Sequence, residues 1–223
     1  MKIIKAKTIG ECWLKSIKAV MHNGNEYFDE DVKIREILGL NITIMHPSIQ
    51  DEIINQYGDQ YVINKMLKKF SKDVVMKDRP FTYGECIYNK KGIDQFEWLV
   101  NRIQTKKETK SATISLLSEG DNNPNLPCLV TIDAKIRNDK LVLQFFFRSQ
   151  NIFGRQYANL LALAHLQFKL SQRLSVEVGL LMGYLASAHI YQYDFEQSHM
   201  ICKNKQIHIE DRYYKNGPKS VRK

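Results

Sequence analysis

The sequence predicts an α/β or α+β protein in which a large mixed β-sheet packs against one long buried helix. Stretches of helical periodicity alternate with β-branched runs along the chain. Residues 157–174 are rich in Ala and Leu and apolar nearly all round, which is typical of a buried helix. No compositional seam divides the 223 residues, so we expect one domain over 1–223 with a basic tail from about 205.

The N-terminal half predicts helices around one long strand. Trp13, Ile17 and Met21 recur at helical spacing and predict a helix over 8–22. Residues 32–45 turn to β-branched alternation and predict a strand. Ser48 then caps a predicted helix through residue 56, and a further helix covers 61–70. The breakers within 71–92 indicate a loop.

The C-terminal half predicts a hairpin between two helices. We expect a helix over 93–103, a strand over 111–117 and a loop over 119–127. Two strands, 128–136 and 141–147, then flank a four-residue turn of Arg, Asn, Asp and Lys. A last strand follows the buried helix over 176–191, with Gly179 and Gly183 as predicted bulges.

Charge and composition narrow the function classes. The net charge of +9 favours anionic partners. The basic runs 65–77 and 203–223 carry no aromatic interleaving, so nucleic-acid binding is unlikely and a phosphate-bearing small molecule fits better. The apolar stretch 178–188 is too short to span a membrane, and the N-terminus lacks a secretory pattern. A cytoplasmic location is therefore expected.

Neither a disulfide framework nor a metal site is predicted. The four cysteines are scattered without a C-x-x-C pair, and the six histidines do not cluster with cysteines or carboxylates. At least one thiol is therefore available for chemistry.

Cys128 is the candidate nucleophile. Cys128 is the first residue of the predicted hairpin, and Arg148 follows its last residue, so both lie at the same end. A nearby cation favours the reactive thiolate. Arg148 and Ser149 together suit the recognition of a phosphate. The alternative interpretation is that Cys128 is a small hydrophobic residue at the start of a strand and Arg148 an exposed surface cation.

Three further side chains follow at set intervals. Asn159 lies at the start of the predicted buried helix, where it could read a ring N–H and C=O or simply cap the helix. His189 and Tyr191 alternate on one strand and therefore point to one face. The alternative for this pair is a half-buried strand whose polar tips bind backbone groups.

Several stretches together resemble the thymidylate synthase family, especially its short archaeal-type members and the related pyrimidine nucleotide hydroxymethylases. The strong matches are LPC at 126–128, FFFRSQNIFGRQYAN at 145–159, LSVEVGLL at 174–181 and SAHIY at 187–191. Weaker matches are ECWLKSIKAVMHNG near the N-terminus, REILGL around Glu36, and Tyr83-Gly84. The intervals of 20, 11, 30 and 2 residues between Cys128, Arg148, Asn159, His189 and Tyr191 agree with the family's order.

The resemblance implies a fold, a reaction and a set of roles. The fold is a large mixed sheet, and the active form is a homodimer that completes each site across the subunit interface. Cys128 adds to C6 of a pyrimidine nucleoside monophosphate, and C5 then receives a one-carbon unit from 5,10-methylenetetrahydrofolate or a related reduced pterin. No metal is involved.

The family's roles fall on individual residues of this chain. Arg148 and Ser149 are expected to bind the phosphate, and Asn159 the base edge. The sugar is expected to contact His189 and Tyr191, whereas Tyr83 and Glu36 assist proton transfer near the base.

Two positions depart from the family pattern. Asn151 stands where the family has the aspartate that binds the pterin, and Lys110 stands where it has an Arg-Arg pair. These departures leave three hypotheses: thymidylate synthesis, 5-hydroxymethylation by the same Cys128 chemistry, and a nucleotide-binding homologue without turnover.

Overall fold

The computed structural model describes residues 2–72, 74, 82–117 and 126–203. Its strands are β1 Lys2–Ala6, β2 Asn25–Asp29, β3 Val32–Ile44, β4 Thr113–Ser115, β5 Leu129–Arg137, β6 Lys140–Phe147, β7 Gln150–Asn151 and β8 Glu177–Tyr191. Its helices are α1 Ile9–Asn23, α2 Glu52–Tyr57, α3 Gln60–Lys69, α4 Tyr83–Tyr88, α5 Gln95–Thr105, α6 Ile152–Leu174 and α7 Phe195–Cys202. A short 3₁₀ turn, Gln192–Asp194, precedes α7.

The eight strands form one mixed sheet, which confirms the predicted fold class. Its order is β1-β3-β8-β6-β5-β4, with β2 paired to β3 and β7 paired to β8. Strands β1 and β3 are parallel, as are β6 and β8, whereas β3 and β8 are antiparallel. The two longest strands, β3 and β8, thus lie side by side in the sheet.

Helix α6 packs against the buried face of this sheet. Sixteen of its 23 residues are buried, as its apolar composition predicts. The indole N–H of Trp13 in α1 donates to the carbonyls of Ile152 and Phe153, at 3.0 and 3.1 Å, and so holds α1 against the first turn of α6. The N-terminus of α6 is therefore fixed relative to the rest of the core.

The predicted hairpin is confirmed as β5 and β6. Its turn places Asn138 and Asp139 at φ values of 51° and 57°, a left-handed conformation that these two residue types tolerate well. The register pairs Leu129 with Phe147 at the other end. A register shift between Leu129 and Thr131 marks a β-bulge immediately after Cys128.

Two predictions for the N-terminal half are wrong. Helix α2 is capped by Asp51, which accepts from the N–H groups of Ile53 and Ile54, and not by Ser48. The predicted loop over 71–92 contains α4, which begins after Thr82 because that side chain accepts from Glu85 N–H at 3.0 Å. Residues 73 and 75–81 of that stretch lie outside the described residues.

Two predictions for the C-terminal half also need correction. Helix α6 begins at Ile152 instead of residue 157, because Asn151 caps it; Asn159 is therefore not an N-cap. A register shift opposite Leu141 and Leu143 agrees with the bulge predicted at Gly179. Gly183 is not a bulge: a Cβ there would lie 2.1 Å from the ring of Phe145, so glycine makes room for that ring.

The predicted strand over 111–117 is shorter in the structure and forms only β4. Residues 119–125 of the predicted loop lie outside the described residues, as does the basic tail from about 205. Among the described residues, no helix combines the length and the apolar character needed to cross a bilayer.

Candidate active site

Arg148 lies beside Cys128 because the two residues pair at the open end of the hairpin, opposite its turn. The Arg148 N–H donates to the Cys128 carbonyl at 2.9 Å. Its guanidinium folds over the preceding residues, donating from Nη2 to the Leu126 carbonyl at 2.8 Å and from Nε to the Pro127 carbonyl at 3.2 Å. The half-buried, unoxidised Cys128 thus begins β5 from a segment held by one arginine.

Tyr83 reaches the other side of Cys128. Its hydroxyl oxygen accepts from the N–H of Leu129 at 3.4 Å. The Tyr83 ring packs against Phe70, with 4.9 Å between ring centroids, and the Lys69 ammonium lies 4.8 Å above its centroid. Arg148 and Tyr83 are 65 residues apart in the sequence, yet Arg148 contacts the residue before Cys128 and Tyr83 the residue after it.

Glu36 and His189 face each other on the central strands. The register pairs Glu36 of β3 with His189 of β8, and also pairs His189 with Asn151 of β7. Ser187 donates its hydroxyl proton to Glu36 Oε1 in a short hydrogen bond, and its Oγ lies 3.3 Å from His189 Nδ1. Since that proton is used on Glu36, Ser187 accepts from His189 Nδ1–H.

His189 is neutral near pH 7. Burial lowers its pKa below the ordinary value of 6.5, and the carboxylates of Asp29 and Glu36 only partly oppose this. With the proton on Nδ1, the Nε2 atom of the ring is a hydrogen-bond acceptor. His189 can therefore accept from a hydroxyl group of a ligand.

Tyr191 carries a partner that sequence reasoning missed. Its hydroxyl donates to Asp29 Oδ2 at 2.7 Å. Burial raises the Tyr191 pKa, and the Asp29 carboxylate and, more weakly, Cys128 raise it further. The ring contacts His189 edge-on at 5.1 Å, as expected for alternate residues of one strand, and stacks on Tyr193 at 5.2 Å.

Helix α6 holds the two predicted asparagines at different depths. Asn151 Oδ1 accepts from Gly154 N–H at 2.9 Å and so caps the helix. Asn159 lies eight residues further on, about 12 Å along the axis. It is buried, and its Oδ1 has no hydrogen-bond partner. A buried amide oxygen without a partner is unusual in a folded protein and suits a group that binds a ligand.

Ser149 and Lys110 differ in how they relate to Cys128. Ser149 follows Arg148 directly and is half-buried. Lys110 is exposed and precedes β4, whose Thr113 pairs with Asp133 in the middle of β5, so the chain before Thr113 runs toward the turn end of the hairpin. Strand geometry therefore places Lys110 on the order of 20 Å from Cys128 of its own chain. The structure does not bring these two residues together.

Two residues of this cluster were not predicted as site residues. Ser187 could have been found, because it alternates with His189 and Tyr191 and so shares their face. Asp29 gives no local signal, since it meets Tyr191 across 162 residues.

A cavity away from this cluster lies at the turn end of the hairpin. It has a volume of about 760 Å³, and its lining includes Asn138, Phe168 and Glu177. In the part of the chain that the structure describes, no three His, Cys, Asp or Glu side chains are grouped closely enough to hold a metal ion.

Comparison with known proteins identifies one family. The family model described as thymidylate synthase matches residues 13–212. A protein of Methanothermobacter marburgensis with the provisional name thymidylate synthase is 29% identical over 227 residues, covering 90% of this chain and 98% of its own. One of Methanococcoides burtonii with the same provisional name is 28% identical, covering 92% and 96%. The thymidylate synthase of Mycoplasma genitalium is 24% identical, covering 81% and 65%.

Proposed function

Because the chain belongs to the thymidylate synthase family, we propose that it transfers a one-carbon unit to C5 of a uridylate nucleotide and converts dUMP to dTMP. Cys128 is the proposed nucleophile, and its sulfur forms a bond to C6 of the base. The electron pair of the C5–C6 double bond moves toward the C4 carbonyl, so that C5 becomes nucleophilic. When the proton on C5 has left and the product methyl group is complete, the sulfur departs.

The contacts on both sides of Cys128 carry this proposal. Arg148 holds the carbonyls of Leu126 and Pro127, and the Tyr83 hydroxyl accepts from Leu129 N–H. The thiol is therefore presented from a fixed backbone, between a guanidinium that suits a phosphate and a phenol that suits a proton step at C5. A buried structural cysteine needs neither neighbour.

The remaining roles are assigned to Asn159 of α6 and to the side chains around His189. Asn159 is proposed to bind the base edge through its buried side-chain amide. His189 Nε2 and Tyr191 are proposed to bind the sugar, with Asp29 holding the Tyr191 hydroxyl. Glu36, bound to Ser187 beside His189, is the proposed carboxylate for proton relay. Ser149 is proposed to assist Arg148 at the phosphate.

The one-carbon donor would be a reduced folate or related pterin, which supplies the carbon unit and, for a methyl product, a hydride. The family's pterin contact falls on Asn151, and here its amide oxygen caps α6 through Gly154. An amide used in this way does not reproduce a carboxylate contact. The residues present therefore fit the nucleotide better than the usual donor.

Asn151 also favours a second candidate function. If the donor is held differently, water can capture the one-carbon unit before reduction, and the product is a 5-hydroxymethylpyrimidine nucleotide. Addition of Cys128 to C6 is common to both reactions, so the product alone separates them.

We also propose a homodimer formed through the open face of the sheet. Along β8, Leu181 and Leu185 are buried against the helices, whereas Met182 and Tyr184 are only partly covered. Tyr184 stacks on Phe146 of β6, with 5.7 Å between ring centroids, so the open face carries a contiguous apolar patch. A neighbouring subunit would cover this patch, and it could bring its Lys110 to a phosphate that the chain's own Lys110 cannot reach. Sedimentation equilibrium should give twice the mass of one chain.

Release of tritium from C5-labelled dUMP tests the nucleophile. The Cys128→Ser variant should abolish release while dUMP binding persists, and Cys202→Ser is the matched control because that half-buried cysteine lies in α7 and should release tritium at the wild-type rate. Product mass then distinguishes methyl from hydroxymethyl. Unchanged turnover in Cys128→Ser would refute the nucleophile, and nucleotide binding without release in the wild type would leave only the binding homologue.

A further inference from the structure

Gln156 is a buried polar residue that the proposed reaction does not yet use. It is fully buried in the second turn of α6, and neither its Nε2 nor its Oε1 has a hydrogen-bond partner. Asn159, three residues later, has an unpaired Oδ1. Buried amides are nearly always paired, so three unpaired atoms within four residues of one helix need a physical explanation.

Helix geometry places Gln156 beside Asn159 and on the side of α6 that faces the sheet. Residues three apart are neighbours on a helix surface, with about 5–6 Å between Cβ atoms. Gln167 lies eleven residues after Gln156, just over three full turns, and so points in nearly the same direction. Its Nε2 donates to the carbonyls of Leu141 and Leu180, at 2.7 and 3.1 Å.

This comparison shows what a structural glutamine does at such a position. The Gln167 Nε2 donates to strand carbonyls, and only its Oε1 is unpaired, whereas both amide atoms of Gln156 are unpaired. The unpaired atoms next to it are complementary, because Gln156 Nε2 is a donor and Asn159 Oδ1 an acceptor. Side chains three residues apart on a helix are neighbours, so these two atoms can form a hydrogen bond.

We propose that Gln156 is a positioning residue for the nucleotide site, paired with Asn159 only when a pyrimidine nucleotide is bound. The inference rests on the proposed function. In the free protein both atoms of the Gln156 amide and the Oδ1 of Asn159 lie buried and unpaired, which costs stability. When the base edge orders the Asn159 amide, Gln156 Nε2 donates to Asn159 Oδ1, and the relief of that cost adds to nucleotide affinity.

Because a glutamine amide can turn to offer either its donor or its acceptor, it supports Asn159 in either orientation. Gln156 should therefore strengthen binding of uracil and cytosine nucleotides alike. Base preference belongs to residue 159 itself: Asn159→Asp should shift it toward cytosine, since a carboxylate accepts from an amino group.

The Gln156→Met variant tests this positioning role. Methionine has a shape similar to glutamine but no amide, so the free protein should melt at the same or a higher temperature. Binding of dUMP and of dCMP, measured by calorimetry, should weaken by the same factor, roughly threefold to tenfold, the value of one net hydrogen bond. Gln156→Leu serves as a second removal of the amide if the methionine variant does not fold.

Gln167→Met is the matched control. It removes an amide that strand carbonyls use, so it should melt at a lower temperature and bind dUMP with wild-type affinity once folded. If Gln156→Met or Gln156→Leu binds dUMP as tightly as the wild type, the positioning role is overturned while the proposed function stands. If the wild type itself binds no pyrimidine nucleotide, the proposed function fails first.

Discussion

Substitution of Gly84 by alanine should separate the position of Tyr83 from the stability of the fold. Gly84 follows Tyr83 in α4 and packs against the end of α3. A Cβ at residue 84 would lie 1.9 Å from the carbonyl oxygen of Ser71, and ordinary contact begins at 3.4 Å. Because both groups belong to backbone, α4 must move by about 1.5 Å to relieve the clash.

A shift of this size would break the contact between the Tyr83 hydroxyl and the N–H of Leu129, the residue after Cys128. The Tyr83 hydroxyl is already 3.4 Å from Leu129 N, the long limit for a hydrogen bond. Overpacking of this kind costs about 1–3 kcal/mol, and the better helix propensity of alanine offsets up to ~1 kcal/mol. The net cost of about 1–2 kcal/mol should then lower the melting temperature of a chain of this length by roughly 2–8 °C.

Gly92→Ala is the matched control for this experiment. Gly92 has a φ of 83° and no atom within 4 Å of an added Cβ, so alanine there brings backbone strain of about 1–2 kcal/mol without a clash. Both variants should melt earlier, but only Gly84→Ala should lose most tritium release per folded molecule. Wild-type melting and wild-type release in Gly84→Ala would show that α4 absorbs the methyl group and that the reasoning is wrong.

Two further substitutions test the core around the site. Burial lowers the pKa of His189 in the folded protein, so the unfolded chain binds a proton at a higher pH and stability falls as pH drops below about 6.5. The His189→Gln variant should therefore lose less of its denaturation midpoint between about pH 7.5 and 5.5 than the wild type. An unchanged loss would contradict the lowered pKa of His189. Trp13→Phe removes the indole donor to Ile152 and Phe153, so urea denaturation should show about 1–3 kcal/mol less stability, whereas equal stability would mean that these bonds do not hold α6.

The parts of the fold that were predicted depend on short stretches of sequence. The β5–β6 turn follows from Asn138 and Asp139, which tolerate the left-handed backbone. The errors arose where two local signals compete. Asn151 is a strong helix cap, but Gly154 and Arg155 interrupt the apolar pattern after it. The apolar pattern therefore predicts a start for α6 five residues after the observed one. Similarly, the Arg79-Pro80 pair before Thr82 favours a loop, so the sequence does not predict α4.

The candidate site was predictable where its residues share one strand or one hairpin. Alternation puts His189 and Tyr191 on one face, and hairpin closure puts Arg148 beside Cys128, whatever the rest of the chain does. Gln156 was not predicted, because a glutamine in a helical stretch gives no sign of whether its amide will find a partner.

The sequence by itself determined the types of reactive side chain, their order, and their local geometry, because turn, cap and alternation preferences act over a few residues of backbone. Only the tertiary structure decided that Tyr191 meets Asp29 across 162 residues and that Ser187 meets Glu36 across 151. Those pairings depend on which strands lie side by side and in what register. Burial summed over the whole sheet selects that arrangement, and no short segment encodes it.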